Sequence, residues 1–165
     1  LAAVLVLLML LPKGEPPPSP EYWMPIDSLF NSFRKLASTE ADLFDQALHA
    51  YSRRDANQTL EFLEKIEAPE ARKGEFGVCI RVLRSSALVN TGQETSALEE
   101  LQPLQMEHLS DAWQVRVGWV RYLAYRDSGQ HDSACEYLHW LQMQPNDLSD
   151  RVAAETAAGV CGSGG

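Results

Sequence analysis

The sequence is short of basic residues and has no organised set of cysteines. Its 165 residues include 14 Lys and Arg against 23 Asp and Glu, which gives a formal charge of -9. This balance excludes nucleic acid as an expected partner, because proteins bind the phosphate backbone through clustered Lys and Arg. Cys79, Cys135 and Cys161 form no CxxC pair and leave an odd thiol, so neither a disulfide framework nor a structural zinc site is expected. We expect the three cysteines to be packed in the interior as small hydrophobic residues.

Motifs that carry catalytic chemistry are also missing. The chain has no Gly-flanked serine elbow, no Cys/His family signature and no phosphate-binding glycine loop. One spacing is typical of metal ligands, because His131, Cys135 and His139 follow each other at i, i+4. On a regular helix the two imidazoles are about 12 Å apart along the axis, too far to hold one tetrahedral ion. We predict a protein that is not an enzyme and has no cofactor; the alternative is an exported helical enzyme or metal binder.

The first eleven residues form an uninterrupted apolar run that ends abruptly at Pro12 and Lys13. The run is shorter than the roughly 20 residues that span a bilayer, and no small-x-small cleavage site follows it. Residues 1–11 are therefore predicted to be a truncated transmembrane anchor or signal segment, with an uncleaved anchor preferred. Basic residues concentrate on the cytoplasmic flank of a membrane anchor. Just after this run there is a single basic residue, Lys13, so the flank that leads into the domain is poor in positive charge. The domain is expected to be extracytoplasmic (periplasmic); export after signal cleavage is the alternative.

Residues 12–25 are rich in proline, which favours polyproline II structure and denies a helix its hydrogen bonds. They predict a semi-rigid linker before a domain at 26–160 and a flexible tail at 161–165. Within the domain, apolar residues recur at helical spacing. No stretch of several residues shows the apolar-polar alternation that is typical of a β-strand. Pro103 is expected to end or kink its helix near Gln102. Helical patterns cover residues 26–36, 43–51, 57–67, 69–90, 94–105, 110–127, 131–143 and 149–158.

An internal repeat is the strongest pattern in the chain. Thr91-Gly92-Gln93 and Ser128-Gly129-Gln130 are 37 residues apart, and equivalent apolar positions follow and precede them. Each unit is predicted to be a helical hairpin that covers its apolar stripe by stacking on its neighbours. Gly92 and Gly129 are expected in the left-handed conformation after a long helix. The small Ala97 and Ala134 would let the two helices of a hairpin approach closely.

The stretch from Ala124 to Pro145 resembles a degenerate tetratricopeptide repeat (TPR), through Tyr125, Gly129, Ala134, Leu138, Leu141 and Pro145. The resemblance implies an all-α, right-handed α-solenoid of about three TPR-like hairpins plus a terminal helix, and a protein-binding function. The period departs from the usual length of about 34 residues, and Gly118 and Tyr122 replace a signature aromatic and a small residue. The architecture is also similar to bacterial single-pass membrane proteins, so the sensor part of an anti-sigma-like regulator is a further alternative.

The first helices of TPR-like hairpins line a concave groove, and most of the arginines of this acidic chain fall on them. Arg84 and Arg121 occupy equivalent repeat positions. Their guanidinium forks would pair with carboxylates of a protein or peptide partner, which favours an acidic one. Aromatic rings would stack on the side chains of that partner. The alternative is that these arginines pair with acidic neighbours across hairpins. The function predicted is a membrane-tethered interaction scaffold or adaptor, with a partner-binding set of Arg81, Arg84, Arg116, Trp119, Arg121, Tyr122 and Tyr125.

Overall fold

The computed structural model describes residues 23–25, 30, 39–66, 74–145, 147–159 and 161. These residues form seven α-helices and a short 3-10 turn at Met106–His108, with no strand among them. The prediction of an all-α fold is confirmed. The helices are α1 (Thr39–Ser52), α2 (Ala56–Glu64), α3 (Gly74–Val89), α4 (Glu94–Leu101), α5 (Asp111–Asp127), α6 (His131–Gln142) and α7 (Ser149–Ala157).

Most helix ends in the described residues lie close to the sequence patterns, but α1 begins at Thr39 and not at 43, and α2 ends at Glu64 and not at 67. Helix α4 ends at Leu101 and not at 105, with Gln102 as its last capping residue. Pro103 has no N–H to continue the helix, which is the reason expected for an end near Gln102. The predicted anchor at 1–11, most of the linker, most of the pattern at 26–36 and residues 67–73 lie outside the described residues. None of the helices in the described part of the chain is both long and apolar enough to cross a bilayer.

Consecutive helices pack in pairs, α1 with α2, α3 with α4, and α5 with α6, and α7 packs on α6. Neighbouring pairs are joined by the packing of α2 on α3, of α4 on α5 and of α3 on α5. Phe44 of α1 meets Phe76 of α3 edge to face, with ring centroids 5.1 Å apart, and α3 packs directly on α5. The Tyr122 hydroxyl of α5 donates a 2.5 Å hydrogen bond to Glu155 of α7. Helices α1, α3, α5 and α7 thus form one layer, called here the inner layer, and α2, α4 and α6 form the outer layer.

The repeat of 37 residues is present in the helices themselves. Helix α3 begins at Gly74 and α5 at Asp111, 37 residues later, and α4 and α6 begin at Glu94 and His131 with the same offset. The turns inside the two hairpins match as well: Gly92 has φ of 72° and Gly129 has φ of 76°. Glycine adopts this left-handed conformation without steric cost, as expected for a residue just after a helix.

The outer helices approach closely where their side chains are small. Ala97 and Ala134 are completely buried, as predicted. Gly118 in the middle of α5 has a related role, because a Cβ atom there would lie 2.6 Å from Cζ3 of Trp140 on α6. The absence of a side chain at Gly118 therefore makes room for the Trp140 ring.

The prediction that the cysteines form no disulfide is wrong for one pair. Cys135 on α6 and Cys161 after α7 are disulfide-bonded, with their Cα atoms 5.4 Å apart. The sequence separation of 26 residues gave no sign of this pairing, because helix α7 returns the chain to α6 only in the folded structure. Cys79 is a buried free thiol, as expected, and its burial raises the pKa of the thiol well above the ordinary value. The rest of the predicted tail, 162–165, lies outside the described residues.

Candidate partner-binding surface

Arg84 and Arg121, equivalent in the repeat, both contact the outer helix of the preceding hairpin. Arg84 lies 3.7 Å from the Glu64 carboxylate at the end of α2. Arg121 donates hydrogen bonds of 3.0 and 3.1 Å to the carbonyl oxygens of Leu101 and Leu104, at and just after the end of α4. The last carbonyls of a helix have no partner inside it and carry partial negative charge, so a guanidinium there is stabilising. Both arginines therefore connect one hairpin to the next.

Arg81 is also paired within the stack. Its guanidinium donates a 3.0 Å hydrogen bond to the Glu100 carboxylate on α4. Arg81 and Arg84 line a small cavity of about 170 Å³ together with Leu63 and Ile66 from the region of α2. The cavity lies beside outer-layer helices, and its charged walls already contain the Glu100 carboxylate.

The remaining predicted partner-binding residues are partly or completely inside the domain. Arg116 is 6% exposed and donates a 2.9 Å hydrogen bond to Asp147, while Trp119 and Tyr122 have no exposed surface. Tyr125 is half-buried and stacks on Tyr137 with ring centroids 5.7 Å apart. In this conformation, Arg116, Trp119 and Tyr122 offer almost no surface to a partner.

The seven residues therefore do not form one open basic groove. The ion pairs of Arg81, Arg84 and Arg116 are those of the alternative interpretation, in which arginines pair with acidic neighbours across hairpins. A role of these residues in binding stays a prediction. Of the three pairs, the one between Arg84 and Glu64 is the longest, and the Arg84 side chain is 32% exposed.

A different feature occupies the inner layer: residues from before α1 pack onto it. Trp23, Met24 and Phe30 are 6%, 3% and 1% exposed, and all three belong to the hydrophobic core. The predicted linker at 12–25 therefore includes two core residues at its end. The many prolines led to the prediction of a linker over all of these residues. A Trp-Met pair beside the prolines is nevertheless a signal for burial, because Trp has a very large apolar surface.

The segment Trp23–Met24 is held by side chains from both ends of the inner layer. The Tyr51 hydroxyl of α1 accepts a 2.8 Å hydrogen bond from the Met24 N–H and shares another of 2.6 Å with the Ser86 hydroxyl of α3. Arg151 of α7 donates a hydrogen bond to the Trp23 carbonyl. The Trp23 ring meets the Tyr51 ring edge to face, with centroids 4.7 Å apart. Side chains of two inner-layer helices, α1 and α7, thus bind this short segment, and Ser86 of α3 holds the Tyr51 hydroxyl in place.

Burial keeps the Tyr51 hydroxyl neutral. Burial raises the pKa of Tyr51 to about 12, although hydrogen bonds with Ser86 and Met24 and the charge of Arg151 oppose the rise. A neutral hydroxyl can accept from the Met24 N–H and at the same time either donate to or accept from the Ser86 hydroxyl. The phenol of the folded protein is therefore neutral at pH 10, the ordinary pKa of tyrosine, and at any lower pH, and it can accept a main-chain N–H there.

Phe30 extends the same set of contacts to another helix of the inner layer. Its ring meets the ring of Trp113, near the start of α5, edge to face with centroids 5.5 Å apart. With Tyr51 on α1, Ser86 on α3 and Arg151 on α7, all four inner-layer helices take part. The face of the inner layer that contacts Trp23, Met24 and Phe30 is called the inner face from here on.

The metal-binding alternative loses its sulfur ligand. Cys135 is bonded to Cys161, so its sulfur is not a thiolate that binds metal. The described residues contain no group of three or more His, Cys, Asp and Glu side chains placed to hold a metal ion. His131 and His139 are both exposed.

No protein-family model matches the chain. No curated protein and no solved structure matches it either.

Proposed function

We propose that the chain is a membrane-tethered protein-interaction scaffold, in which a right-handed, TPR-like stack binds a peptide segment of a partner on its inner face. The observation that carries the proposal is the way in which the inner face binds Trp23 and Met24. Side chains on helices bond the main-chain carbonyl of Trp23 and the main-chain N–H of Met24. Protein grooves bind peptides in this manner, with main-chain hydrogen bonds for affinity and pockets for specificity.

The stacking of helices supports a binding role because it makes the inner face rigid. Buried contacts join each inner-layer helix to the next, as with Tyr51 and Ser86 between α1 and α3 and Tyr122 and Glu155 between α5 and α7. A surface built on packed helices loses little conformational entropy on binding, so more of the contact energy appears as affinity. A repeat stack offers such a surface along its length.

Arg84, which lies beside the outer helix α2 and not among the residues that contact Trp23 and Met24, is the cation that we propose for a second contact, with a carboxylate of the partner. Its 3.7 Å pair with Glu64 is loose, and the Glu64 side chain is 63% exposed. Exposed pairs of this kind contribute little to stability, about 0 to 1 kcal/mol. A partner carboxylate can therefore replace Glu64 at small cost, whereas Arg116 is buried with its Asp147 contact.

We place the domain outside the cytoplasm, attached through residues 1–11. The disulfide between Cys135 and Cys161 supports this placement, because disulfides persist in oxidising compartments and are rare in the reducing cytosol. The apolar run at 1–11 and the proline-rich residues after it supply an anchor and a spacer.

Co-purification tests the proposal. The full chain is immobilised from detergent and exposed to an envelope extract, next to Arg84→Glu and a control, Arg53→Glu, which reverses an exposed charge in the turn after α1. Circular dichroism first establishes equal helix content. We expect a partner that wild type and Arg53→Glu retain and Arg84→Glu loses. Equal capture by the two variants would remove Arg84 from the binding site, and capture of no specific protein by wild type would overturn the scaffold function.

A further inference from the structure

We infer that Trp23 and Met24 occupy the peptide site of the inner face as an intramolecular ligand, and that the site accepts an external peptide with a bulky aromatic residue followed by a long apolar residue. This inference rests on the proposed function and names the chemistry of its partner. The evidence is the mode of binding, because the segment contacts the helices as a separate short ligand does.

The first part of the site is a pocket for an aromatic ring. Trp23 is almost completely buried, with its ring 4.7 Å from the ring of Tyr51 at an interplanar angle of 64°. Its indole N–H has no hydrogen bond to any of the described residues. The ring is therefore bound through its apolar surface and not through its N–H. This favours a class of aromatic side chains over tryptophan alone.

The second part is a clamp on the main chain. The Tyr51 hydroxyl accepts from the Met24 N–H, and the contact with Ser86 fixes the position of that hydroxyl. Arg151 donates to the carbonyl one residue earlier. The groups bound on the ligand side are peptide groups, which every residue except proline supplies in full. The clamp therefore fits a peptide that places an aromatic residue in the pocket and a residue other than proline after it, and the burial of Met24 favours a long apolar side chain at that second position.

Covalent connection gives the intramolecular segment an advantage over a free peptide. A ligand on a short tether has an effective concentration of about 1 mM. A free peptide must compete with the attached segment, so its apparent affinity is lower than for an empty site. The reduction factor is about the effective concentration of the segment divided by the dissociation constant of the segment. Cutting the chain between the segment and α1 removes this advantage and leaves Trp23 and Met24 themselves unchanged.

The experiment uses the full chain with a specific protease site in place of residues 34–37. The probe is a fluorescent peptide with the sequence of residues 20–30, and fluorescence anisotropy follows its binding before and after cleavage. We expect saturable binding at least about 10-fold tighter after cleavage. The Trp23→Ala form of the peptide should not bind, and the Trp23→Phe form should bind.

Variants of the site provide matched controls. In the cleaved chain, Arg151→Ala should weaken binding of the peptide, whereas Arg53→Ala, in an exposed turn, should not. In the uncleaved chain, Trp23→Ala should bind the peptide without any cut if it folds. If that variant does not fold, the cleaved wild-type chain decides the matter.

Two results would overturn the inference. One is loss of helical circular dichroism on cleavage, which would make Trp23 and Met24 an inseparable part of the core. The other is a cleaved, folded chain that does not exchange its segment for the labelled peptide within a day. Neither result would affect the capture of a partner that depends on Arg84, so failure of the inference and failure of the proposed function are distinguishable.

Discussion

Arg151, on the last helix, donates a hydrogen bond to the main-chain carbonyl of Trp23, 128 residues earlier in the chain. Tyr51, between them in sequence, accepts from the other end of the same peptide group, the N–H of Met24. A segment near the beginning of the described chain therefore joins the first and last inner-layer helices. The stack therefore has a connection in addition to neighbour-to-neighbour packing, and we expect its stability to depend on it.

Removal of the Arg151 side chain is expected to destabilise the domain. Arg151→Ala leaves the Trp23 carbonyl without this donor, and loss of a hydrogen bond to a charged group costs about 2 kcal/mol. Urea denaturation followed by circular dichroism measures the change. Arg53→Ala is the control, because Arg53 bonds Gln58 at an exposed site and its loss should cost less than about 0.5 kcal/mol. Equal costs for the two variants would contradict the bond to Trp23.

The disulfide is expected to contribute substantially to stability. It closes a loop across a separation of 26 residues, and a loop of that size restricts the unfolded chain by about 3 kcal/mol. A reducing agent should therefore lower the melting temperature of the wild-type protein. The double variant Cys135→Ser, Cys161→Ser should melt at the lower temperature with or without the reductant. A wild-type melting temperature that does not respond to complete reduction would contradict this prediction.

Stability is expected to fall at high pH because of Tyr51. Burial raises its pKa to about 12 in the folded protein, above the ordinary value of 10.0. Between these two pH values the unfolded chain has lost a proton that the folded chain retains, so the free energy of unfolding decreases as the pH rises. Below pH 10 the phenol is protonated in both states and adds no pH dependence.

Urea denaturation at pH 8, 10 and 11 measures this effect. One group lowers the free energy of unfolding by up to about 1.4 kcal/mol per pH unit in that range. Tyr51→Phe should reduce the slope, although its stability at pH 8 should be lower because Met24 and Ser86 lose a partner. Part of the slope should persist, since burial and the hydrogen bond to Glu155 also raise the pKa of Tyr122. An unchanged slope in Tyr51→Phe would contradict the buried phenol.

Gly118→Ala is expected to disturb the packing of α5 on α6. The new methyl group would lie 2.6 Å from the Trp140 ring, so the ring or a helix must move. Overpacking of this kind costs about 1 to 3 kcal/mol, which thermal or urea denaturation detects. A double-mutant cycle with Trp140→Leu is the control, because the smaller side chain should remove most of the cost. Additive effects of the two substitutions would show that they do not share this contact.

The sequence by itself determined the local structure of this protein. The helices follow from apolar residues at helical spacing, and the end of α4 follows from the missing N–H of Pro103. The positive φ angles of Gly92 and Gly129 follow from the repeated turn. Each of these features depends on residues within a few positions of each other, so the chemistry that causes it can be seen in the sequence.

Only the tertiary structure decided which residues meet. Arg121 lies on a helix that could direct it to a groove or to the preceding hairpin, and helical spacing is the same in both cases; its bonds to Leu101 and Leu104 show the second. Cys135 meets Cys161, and Trp23 meets Arg151 across 128 residues, because α7 and the inner layer bring them together. The physical reason is that such contacts depend on how the helices pack, which the energy of the whole core selects and no local pattern specifies.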